Sequence, residues 1–507
     1  MIDFLEIPYF LYSTLIEKYR KCIPRMQASY IIKNPIGSKT MKMRMNKIIG
    51  GFFCICLLLF QLPLQTAAAN AANGPSPPPE ESSLFATAAV LMDADSGRVL
   101  YGKNEDAVMA MASTTKIMTC IVVLENASLD ETLTVSAYAA SMPKVKLYIQ
   151  KGEQYTIRDL LHSLMLESHN DTAVALAEHI GRQHLPPELQ DKAVTEYTAE
   201  ESKQAVSAFA ALMNDKAAEL GCKNTWFITP NGLDATETIS LSDGSTIQKE
   251  HCTTARELAG ILSYCIKESP KRQEFLDITR TQNYSFSANG RSFSCVNHNA
   301  FLTMMDGALT GKTGFTNKAG YCYVGALTRD DRTFIVVLLA CGWPNNKGYK
   351  WTDTRKLMQY GIDNYFYRSF SGTDVAFDES ILSPLPVQNG QTVVLNATAY
   401  TDVEIVRDMP PGGQTSDTEK ENGSSGNGDS QWLKGLLLRP DEKIYVRYSV
   451  KEKLTAPVER GTVVGSIDYI VDDVVYKRES VVAKESVEAI DLKWCAKQVW
   501  KRFLCIR

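Results

Sequence analysis

The stretch Ser113-Thr-Thr-Lys116 decides how this chain is interpreted, because it places a hydroxyl and an amine three residues apart. Residues i and i+3 share one face of a helix, so the serine oxygen and the lysine nitrogen are expected to meet. Serine is a poor nucleophile without a base beside it, and a lysine partly removed from water can lose its proton and become that base. The motif therefore predicts a nucleophilic Ser113 that is activated by Lys116.

Ser168-His-Asn170 follows as a second motif, on a predicted tight turn between two helices. We expect Ser168 to relay a proton between Lys116 and a leaving amine. We expect the amide of Asn170 to hold the substrate and to orient Lys116. Both residues are therefore predicted to line the same groove as Ser113.

Lys312-Thr-Gly314 comes third, on a predicted strand. Lys312 and Thr313 offer a positive charge and a hydroxyl to a substrate carboxylate. Gly314 allows a substrate backbone to approach the strand edge. The backbone N–H groups of Ser113 and Phe315 are the expected donors to an oxyanion.

Two of these spacings recur in the chain, so each motif alone is weak. Ser141-Met-Pro-Lys144 repeats the first and Ser287-Ala-Asn289 repeats the second, whereas the third occurs once. Pro143 makes a regular helical turn at the first repeat less favourable. The ordered set of three, rather than any one of them, indicates acyl transfer through a serine.

Composition excludes several other classes of protein. The chain has 507 residues, of which 44% are hydrophobic and 22% charged, and its net charge of −4 argues against nucleic-acid binding. The 12 cysteines form no Cys-x-x-Cys pair, so no metal site is expected, and no cofactor is expected either. We expect most cysteines to be free buried thiols, with some disulfide pairing left open.

Residues 41–72 read as a secretory signal peptide. Basic residues precede the short apolar run 48–62, and small residues follow at 67–72. A retained anchor helix is the alternative, although the run is short for a membrane span. Residues 1–40 are expected to be a non-native or unstructured extension, and 73–81 a proline-rich linker. The protein is therefore expected to act outside the cytoplasm.

The region 82–370 is predicted to be an α+β catalytic domain, since strand patterns at its two ends enclose helical patterns. The ends carry a hairpin (88–92 and 99–101) and three further strands (308–313, 321–327 and 333–341). Helices are expected from Ser113, at 157–165, after Asn170, at 209–220 and at 353–366. Residues 185–204 look like a polar insertion.

The region 375–485 is predicted to be an all-β domain, interrupted by a disordered insertion at 408–430. Its expected strands are 392–397, 403–406, 443–450, 463–470 and 474–478. Residues 487–507 form a predicted amphipathic helix with aromatic and basic residues, suited to a membrane surface. Packing of this helix on the protein itself is the alternative.

Several longer stretches resemble one family, the serine-type D-alanyl-D-alanine carboxypeptidases, which are low-molecular-weight penicillin-binding proteins of the peptidase S11 family. The resemblance is carried by five stretches: Met111-Ala-Ser-Thr-Thr-Lys-Ile-Met-Thr119, Leu166-Glu-Ser-His-Asn-Asp-Thr-Ala173, Thr229-Pro-Asn-Gly-Leu233, Thr253-Thr-Ala-Arg-Glu-Leu258 and Gly311-Lys-Thr-Gly-Phe-Thr316. It covers 82–370 closely and the C-terminal regions more loosely.

The resemblance implies a β-lactamase/transpeptidase-like catalytic domain, a small all-β domain and a C-terminal amphipathic helix. It implies removal of the terminal D-alanine from peptidoglycan stem pentapeptides through an acyl-enzyme on Ser113. Expected partners are D-Ala-D-Ala stem peptides, β-lactam antibiotics and, through the C-terminal helix, the outer face of the cytoplasmic membrane. His169 stands where the family often has glycine, and 185–204 and 236–250 are longer than expected and could reshape the cleft rim.

Three alternatives stay open. A class A β-lactamase shares the motifs, but its Glu-x-x-Leu-Asn loop is missing from this sequence. A D,D-endopeptidase or transpeptidase differs only in its products. A non-catalytic cell-wall scaffold is disfavoured because all motif residues are intact.

Overall fold

The computed structural model describes residues 76–240, 243–371, 375, 378–406 and 434–504. The predicted extension (1–40), the signal peptide (41–72) and the insertion (408–430) lie outside the described residues. The predicted linker and the C-terminal helix are described from 76 and up to 504 respectively.

Helices and strands alternate in the first two thirds of the described chain, and strands dominate the last third. The helices are α1 (Lys116–Asn126), α2 (Ala137–Ser141), α3 (Ile157–Leu166), α4 (Asn170–Gly181), α5 (Pro187–Asp191), α6 (Ala199–Glu219), α7 (Ala255–Ser263), α8 (Arg272–Arg280), α9 (Phe301–Met304), α10 (Tyr349–Asn364) and α11 (Leu492–Phe503). The strands up to α10 are β1 (Ala88–Asp93), β2 (Val99–Lys103), β3 (Thr132–Thr134), β4 (Gln154–Thr156), β5 (Thr236–Ser240), β6 (Thr246–Glu250), β7 (Asn283–Ala288), β8 (Arg291–Val296), β9 (Ala308–Thr316), β10 (Gly320–Arg329) and β11 (Arg332–Leu339). Those that follow are β12 (Phe366–Ser369), β13 (Leu385–Gln388), β14 (Ala399–Thr401), β15 (Val403–Val406), β16 (Gly435–Leu438), β17 (Tyr445–Val450), β18 (Leu454–Thr455), β19 (Val463–Val471) and β20 (Val474–Ala483).

A five-stranded antiparallel sheet, in the order β2-β1-β11-β10-β9, forms the centre of the catalytic region. Every residue of β1 and β11 is buried, because helices cover both faces of the sheet. Val90 and Val337 pack with α1, α3, α4 and α7, whereas Leu91 and Val336 pack with α10. This arrangement explains why both strands are continuous apolar runs rather than alternating ones. It leaves β9 as an edge strand.

The helical half packs tightly around α1 and α4. Gly181 of α4 meets α6 so closely that a Cβ atom there would lie 2.9 Å from the carbonyl carbon of Ala205. Such contacts fall below the distance that real Cβ atoms reach, so the crossing requires glycine. Because α4 begins at Asn170, this crossing also fixes the position of the second motif.

The C-terminal strands form sheets of their own and contact the catalytic region at two places. Strand β12 pairs with β16, where Leu437 packs beneath α10. Arg98, in the turn between β1 and β2 and 5% exposed, donates two hydrogen bonds to the carboxylate of Glu442 (2.7 and 2.9 Å). The guanidinium also donates to the carbonyl of Leu437 at 2.8 Å. These contacts hold the two regions together.

Most predicted elements of the catalytic region are confirmed. The β1–β2 hairpin, the three strands β9–β11 and the helices α3 and α10 form as expected, and the side chain of Thr156 caps α3. The helix expected from Ser113 begins at Lys116 instead, because residues 112–115 form a 3-10 turn. The helix expected from Phe209 begins at Ala199 instead, within the segment 185–204 that is predicted to be a polar insertion.

The strand predicted at 392–397 is wrong. This segment is a loop, in which the Ala397 N–H donates to the carbonyl of Val394 at 3.2 Å. Val393 is 96% exposed, so its side chain has no strand face to pack against. The other four strands predicted here form, as β15, β17, β19 and β20. All eight cysteines that the structure describes are free thiols, as expected for most of them.

Helix α11 buries none of its residues against the described parts of the protein. Leu492, Val499, Trp500 and Phe503 are 89%, 68%, 66% and 83% exposed. Among the described helices, none is both long and apolar enough to cross a membrane.

Candidate active site

Ser113 and Lys116 meet as the first motif predicts. The amine nitrogen (Nζ) of Lys116 lies 2.8 Å from Oγ of Ser113. The 3-10 turn brings them together, because it places residues i and i+3 on one side, as an α-helix also does. Lys116 is fully buried, whereas Ser113 is partly exposed. The hydroxyl of Ser113 is therefore accessible to solvent, whereas the amine of Lys116 is not.

The surroundings of Lys116 suit an uncharged amine. Burial holds its pKa well below the ordinary lysine value, and the nearby Lys312 lowers the pKa further. Two carbonyl-type oxygens accept its N–H groups: the backbone oxygen of Asn231 at 2.6 Å and Oδ1 of Asn170 at 3.0 Å. A neutral amine has two N–H donors and one lone pair, so that lone pair is left facing the hydroxyl of Ser113.

Ser168 lies in the turn between α3 and α4. Its φ of +66° is rare for a residue with a side chain, and such strained positions cluster at functional sites. Its Oγ is buried and has no hydrogen-bond partner among the described atoms. The unpaired hydroxyl is available to a bound substrate.

The side chain of Asn170 is divided between Lys116 and a neighbouring loop. Oδ1 accepts from Lys116, and Nδ2 donates to the carbonyls of Pro143 and Lys144 at 3.3 and 3.2 Å. The orientation of Lys116 by Asn170 therefore agrees with its sequence-based role. The grip of Asn170 on substrate stays a prediction, and it would require an N–H group that here donates to the loop.

Asp171, beside Asn170, fixes that loop. Its buried carboxylate accepts hydrogen bonds from the three consecutive backbone amides of residues 147–149, at 2.8 to 3.3 Å. His169 turns the other way, with Nδ1 2.7 Å from Oγ of Ser163, and burial lowers its pKa. The His169 ring is therefore bonded to a side chain of α3.

Strand β9 brings the third motif against the nucleophile. A Cβ atom at Gly314 would lie 2.9 Å from the backbone nitrogen of Ser113, so the two segments are in direct contact. Lys312 is 2% exposed, and its Nζ donates to the carbonyl of Thr313 at 2.9 Å. Burial lowers the pKa of Lys312 to about 7. Phe315, which follows Gly314 on β9, is 38% exposed.

The segment 229–233 is the part of the site to which sequence reasoning assigned no role. The carbonyl of Asn231 accepts from Lys116 and lies 3.2 Å from Oγ of Ser113, so it is placed against both residues of the first motif. Gly232 has φ +82° and packs against the carbonyl of Ala112. Pro-Asn-Gly is a turn signal that could have drawn attention to this segment, but a backbone carbonyl leaves no mark in a sequence.

His251 holds this segment in place from behind. Its Nε2 lies 2.7 Å from Oγ1 of Thr115, and its Nδ1 accepts from the backbone N–H of Ile228 at 3.0 Å. Burial lowers the pKa of His251 to about 3, so the ring stays neutral. A neutral ring is the form that can accept at Nδ1 and donate at Nε2.

The segments 236–250 and 185–204, which are longer than expected, form different structures. The segment 236–250 forms the β5–β6 hairpin, which is tied to the end of β9: Lys318 pairs with Glu250 at 2.8 Å, and Thr316 donates to Asp234 at 3.0 Å. The segment 185–204 includes α5 and the first turn of α6.

In the part of the chain that the structure describes, no three His, Cys, Asp or Glu side chains cluster as a metal site would require.

A family comparison matches this arrangement. The profile of the D-alanyl-D-alanine carboxypeptidases (peptidase S11) covers residues 72–184 and 195–341, just over half of the chain. The chain belongs to the D-alanyl-D-alanine carboxypeptidase family. It is a hydrolase of this type, and the family profile includes all three motifs. A second profile, the C-terminal domain of penicillin-binding protein 5, matches residues 440–489 in the all-β region.

Individual relatives extend the match. The carboxypeptidase DacF of Bacillus subtilis is 25% identical over 409 residues, which cover 80% of this chain and 86% of that protein. A D-alanyl-D-alanine endopeptidase of Pseudomonas aeruginosa is 30% identical over 53% of this chain and 76% of its own length. Penicillin-binding protein 5 of Haemophilus influenzae shares the fold, with a TM-score of 0.55 and 22% identity over 82% of this chain and 99% of that structure.

Proposed function

We propose that this carboxypeptidase removes the terminal D-alanine from peptidoglycan stem pentapeptides through an acyl-enzyme on Ser113. The observation that carries this proposal is the 2.8 Å contact between Oγ of Ser113 and a buried amine whose pKa is lowered. A neutral Lys116 takes the hydroxyl proton as the oxygen attacks the carbonyl between the two D-alanines. Members of the family act on such peptides and bind β-lactams, so penicillin is expected to acylate the same oxygen.

The oxyanion of the tetrahedral intermediate is assigned to the backbone N–H groups of Ser113 and Phe315. The close packing of Gly314 on Ser113 supports this pairing, since it brings β9 alongside the nucleophile. Fixed backbone donors stabilise developing charge without reorganisation. The Asn231 carbonyl keeps the amine of Lys116 in line with the hydroxyl.

Ser168 is assigned the transfer of the proton from Lys116 to the leaving D-alanine. Its unpaired, buried Oγ supports this role, because a hydroxyl can accept one proton and donate another. D-Alanine then leaves as the neutral amine, and water hydrolyses the ester, with Lys116 again as the base.

Lys312 and Thr313 are assigned to the C-terminal carboxylate of the substrate. A pKa of about 7 leaves Lys312 only partly charged without ligand, and an approaching carboxylate favours the charged form. The two lysines have distinct duties, one as a base and one as a cation.

The test is to weigh the products formed from a muropeptide monomer that carries a pentapeptide. Release of one D-alanine is expected from wild type and not from Ser113→Ala. Opening of a cross-linked dimer without D-alanine release from the monomer would instead support the endopeptidase reading, which is the activity named for one relative. Rapid, repeated turnover of penicillin would support a β-lactamase, and absence of any turnover or adduct would support a scaffold.

We also propose that the protein is exported by a signal peptide at 41–72 and bound to the membrane through 487–507. The exposed apolar side chains of α11 support membrane binding, since an interfacial helix buries one such face in the headgroup region. Phe503→Glu should abolish sedimentation with anionic phospholipid vesicles. Gln498→Glu adds the same charge to the opposite side of the helix and should not. Equal sedimentation of both variants would contradict the anchor.

A further inference from the structure

The proposed function fixes the direction in which a substrate lies along β9. Its C-terminal carboxylate lies beside Lys312, and its scissile carbonyl lies beside Ser113 and Phe315. A peptide that pairs antiparallel with β9 then runs, from its C-terminus to its N-terminus, from Lys312 toward Thr316. The N-terminal remainder of the stem therefore points at the turn between β9 and β10.

The length of the stem brings its attached sugar to that turn. Three residues separate the D-Ala-D-Ala pair from the sugar, and an extended chain covers roughly 10 Å in three residues. Counted from Phe315, beside which the scissile carbonyl lies, three residues lead past Thr316, the end of β9, into the turn 317–319. The sugar is therefore expected to arrive beside this turn.

Two exposed aromatic rings flank this turn. Trp343, which is 43% exposed, donates from its indole nitrogen to the carbonyl of Asn317 at 3.0 Å, and its ring packs beside Gly320. Phe315, 38% exposed, lies over Tyr321 with the ring centroids 4.6 Å apart. Exposed aromatic surface therefore lies at the turn, through Trp343, and on β9 just before the turn, through Phe315.

The charges around the turn favour an uncharged ligand. Lys318 forms an ion pair with Glu250. The carboxylate of Asp234 accepts a hydrogen bond from the hydroxyl of Thr316. The exposed amides of Asn317 and Asn345 remain as hydrogen-bonding groups for hydroxyls. Aromatic faces are electron-rich and suit the polarised C–H groups of a pyranose ring.

We propose that Trp343, together with Phe315, forms a subsite for the sugar ring that carries the stem peptide. This proposal rests on the proposed function and extends it, because it makes the glycan part of the recognised substrate. The carboxypeptidase then selects peptides that are still attached to the wall glycan over free peptides of the same sequence.

The test compares kcat/KM for a sugar-bearing muropeptide monomer and for the same pentapeptide without sugar. Wild type is expected to prefer the sugar-bearing substrate about tenfold, consistent with one stacked ring. Trp343→Ala should abolish the preference while leaving the free pentapeptide and the penicillin acylation rate unchanged. Trp343→Phe, which keeps a ring but loses the N–H donor, should retain most of the preference.

Tyr445→Ala is the matched control, since Tyr445 is a 64% exposed aromatic residue on β17 of the C-terminal region. It should leave the preference at the wild-type value. Equal kcat/KM for the two substrates in wild type, or an equal loss on both in Trp343→Ala, would overturn the subsite alone. Hydrolysis of neither substrate would overturn the proposed function together with the subsite.

Discussion

Replacement of Gly232 by alanine tests how strictly the segment 229–233 controls the nucleophile. A Cβ atom at this position would lie 2.5 Å from the carbonyl carbon of Ala112 and closer still to its oxygen, whereas real Cβ atoms stay beyond 3.0 Å. The oxygen sets the limit, so the two backbones must separate by about 1 Å, and the carbonyl of Asn231 moves away from Lys116 with them. Misplacement by about 1 Å can reduce a rate about 100-fold.

Gly152→Ala is the matched control for the backbone cost. Gly152 has φ +86°, close to the +82° of Gly232, but nothing lies within 4 Å of its added Cβ atom. Both variants carry the cost of a left-handed alanine, roughly 1 kcal/mol. Only Gly232→Ala carries the clash as well.

The assay is the second-order rate of acylation by a fluorescent penicillin, measured beside thermal unfolding. Gly152→Ala is expected to acylate at the wild-type rate with a Tm lower by about 2–4 °C. Gly232→Ala is expected to acylate about 100-fold more slowly, with a larger loss of Tm. A folded Gly232→Ala protein that acylates within about threefold of wild type would refute the reasoning.

Three further expectations concern titration and the contact between the two regions. The acylation rate should reach its maximum well below pH 10.5, because the base Lys116 acts when deprotonated and its pKa is lowered, and it should fall again as Lys312, with a pKa of about 7, loses the charge that binds the ligand carboxylate. A rate that still rises near pH 10.5 would contradict a neutral amine. Burial raises the pKa of Glu178 to about 7 from 4.5, so the folded state holds a proton that the unfolded state loses first. Stability should therefore fall as the pH rises from about 4.5 to about 7, by at most roughly 3 kcal/mol, and a Glu178→Gln variant with the same pH dependence in urea unfolding would exclude this source. Arg98→Met leaves the Glu442 carboxylate unpaired and should cost about 3 kcal/mol of unfolding free energy, of which Glu442→Gln in the same chain should recover part; additive losses in a double-mutant cycle would show that the pair is not coupled.

Much of the sheet and of the chemistry could be predicted from the sequence. The strands β1, β10 and β11 each contain a run without charged residues (88–92, 320–328 and 333–339) because helices cover both faces of the sheet, and such runs are easily recognised in the sequence. Ser113 and Lys116 were recognisable because their spacing places them on one turn and because two further motifs accompany them in order. The side chains that carry the proposed chemistry lie in three short motifs, so they can be found in the sequence without knowledge of the fold.

The remainder depended on groups that leave weak signals. The Asn231 carbonyl is a backbone atom, and its position relies on a distant histidine, His251, that no local pattern connects to it. The start of α6 was missed although Thr198 and Glu201 form a capping box, because the surrounding residues are polar and suggested an insertion. Val393 and Val394 suggested a strand, but none of the strands that the structure describes pairs with that segment, and both valines are exposed.

Mass spectrometry of the penicillin-treated protein tests the central claim most directly. The wild-type chain should gain a single penicilloyl group, and peptide mapping should locate it on Ser113. Ser113→Ala should gain none, and Lys116→Met, which keeps the volume but removes the base, should acylate far more slowly at every pH. A wild-type adduct on any other residue, or acylation of Lys116→Met at the wild-type rate, would contradict a serine activated by its neighbouring lysine.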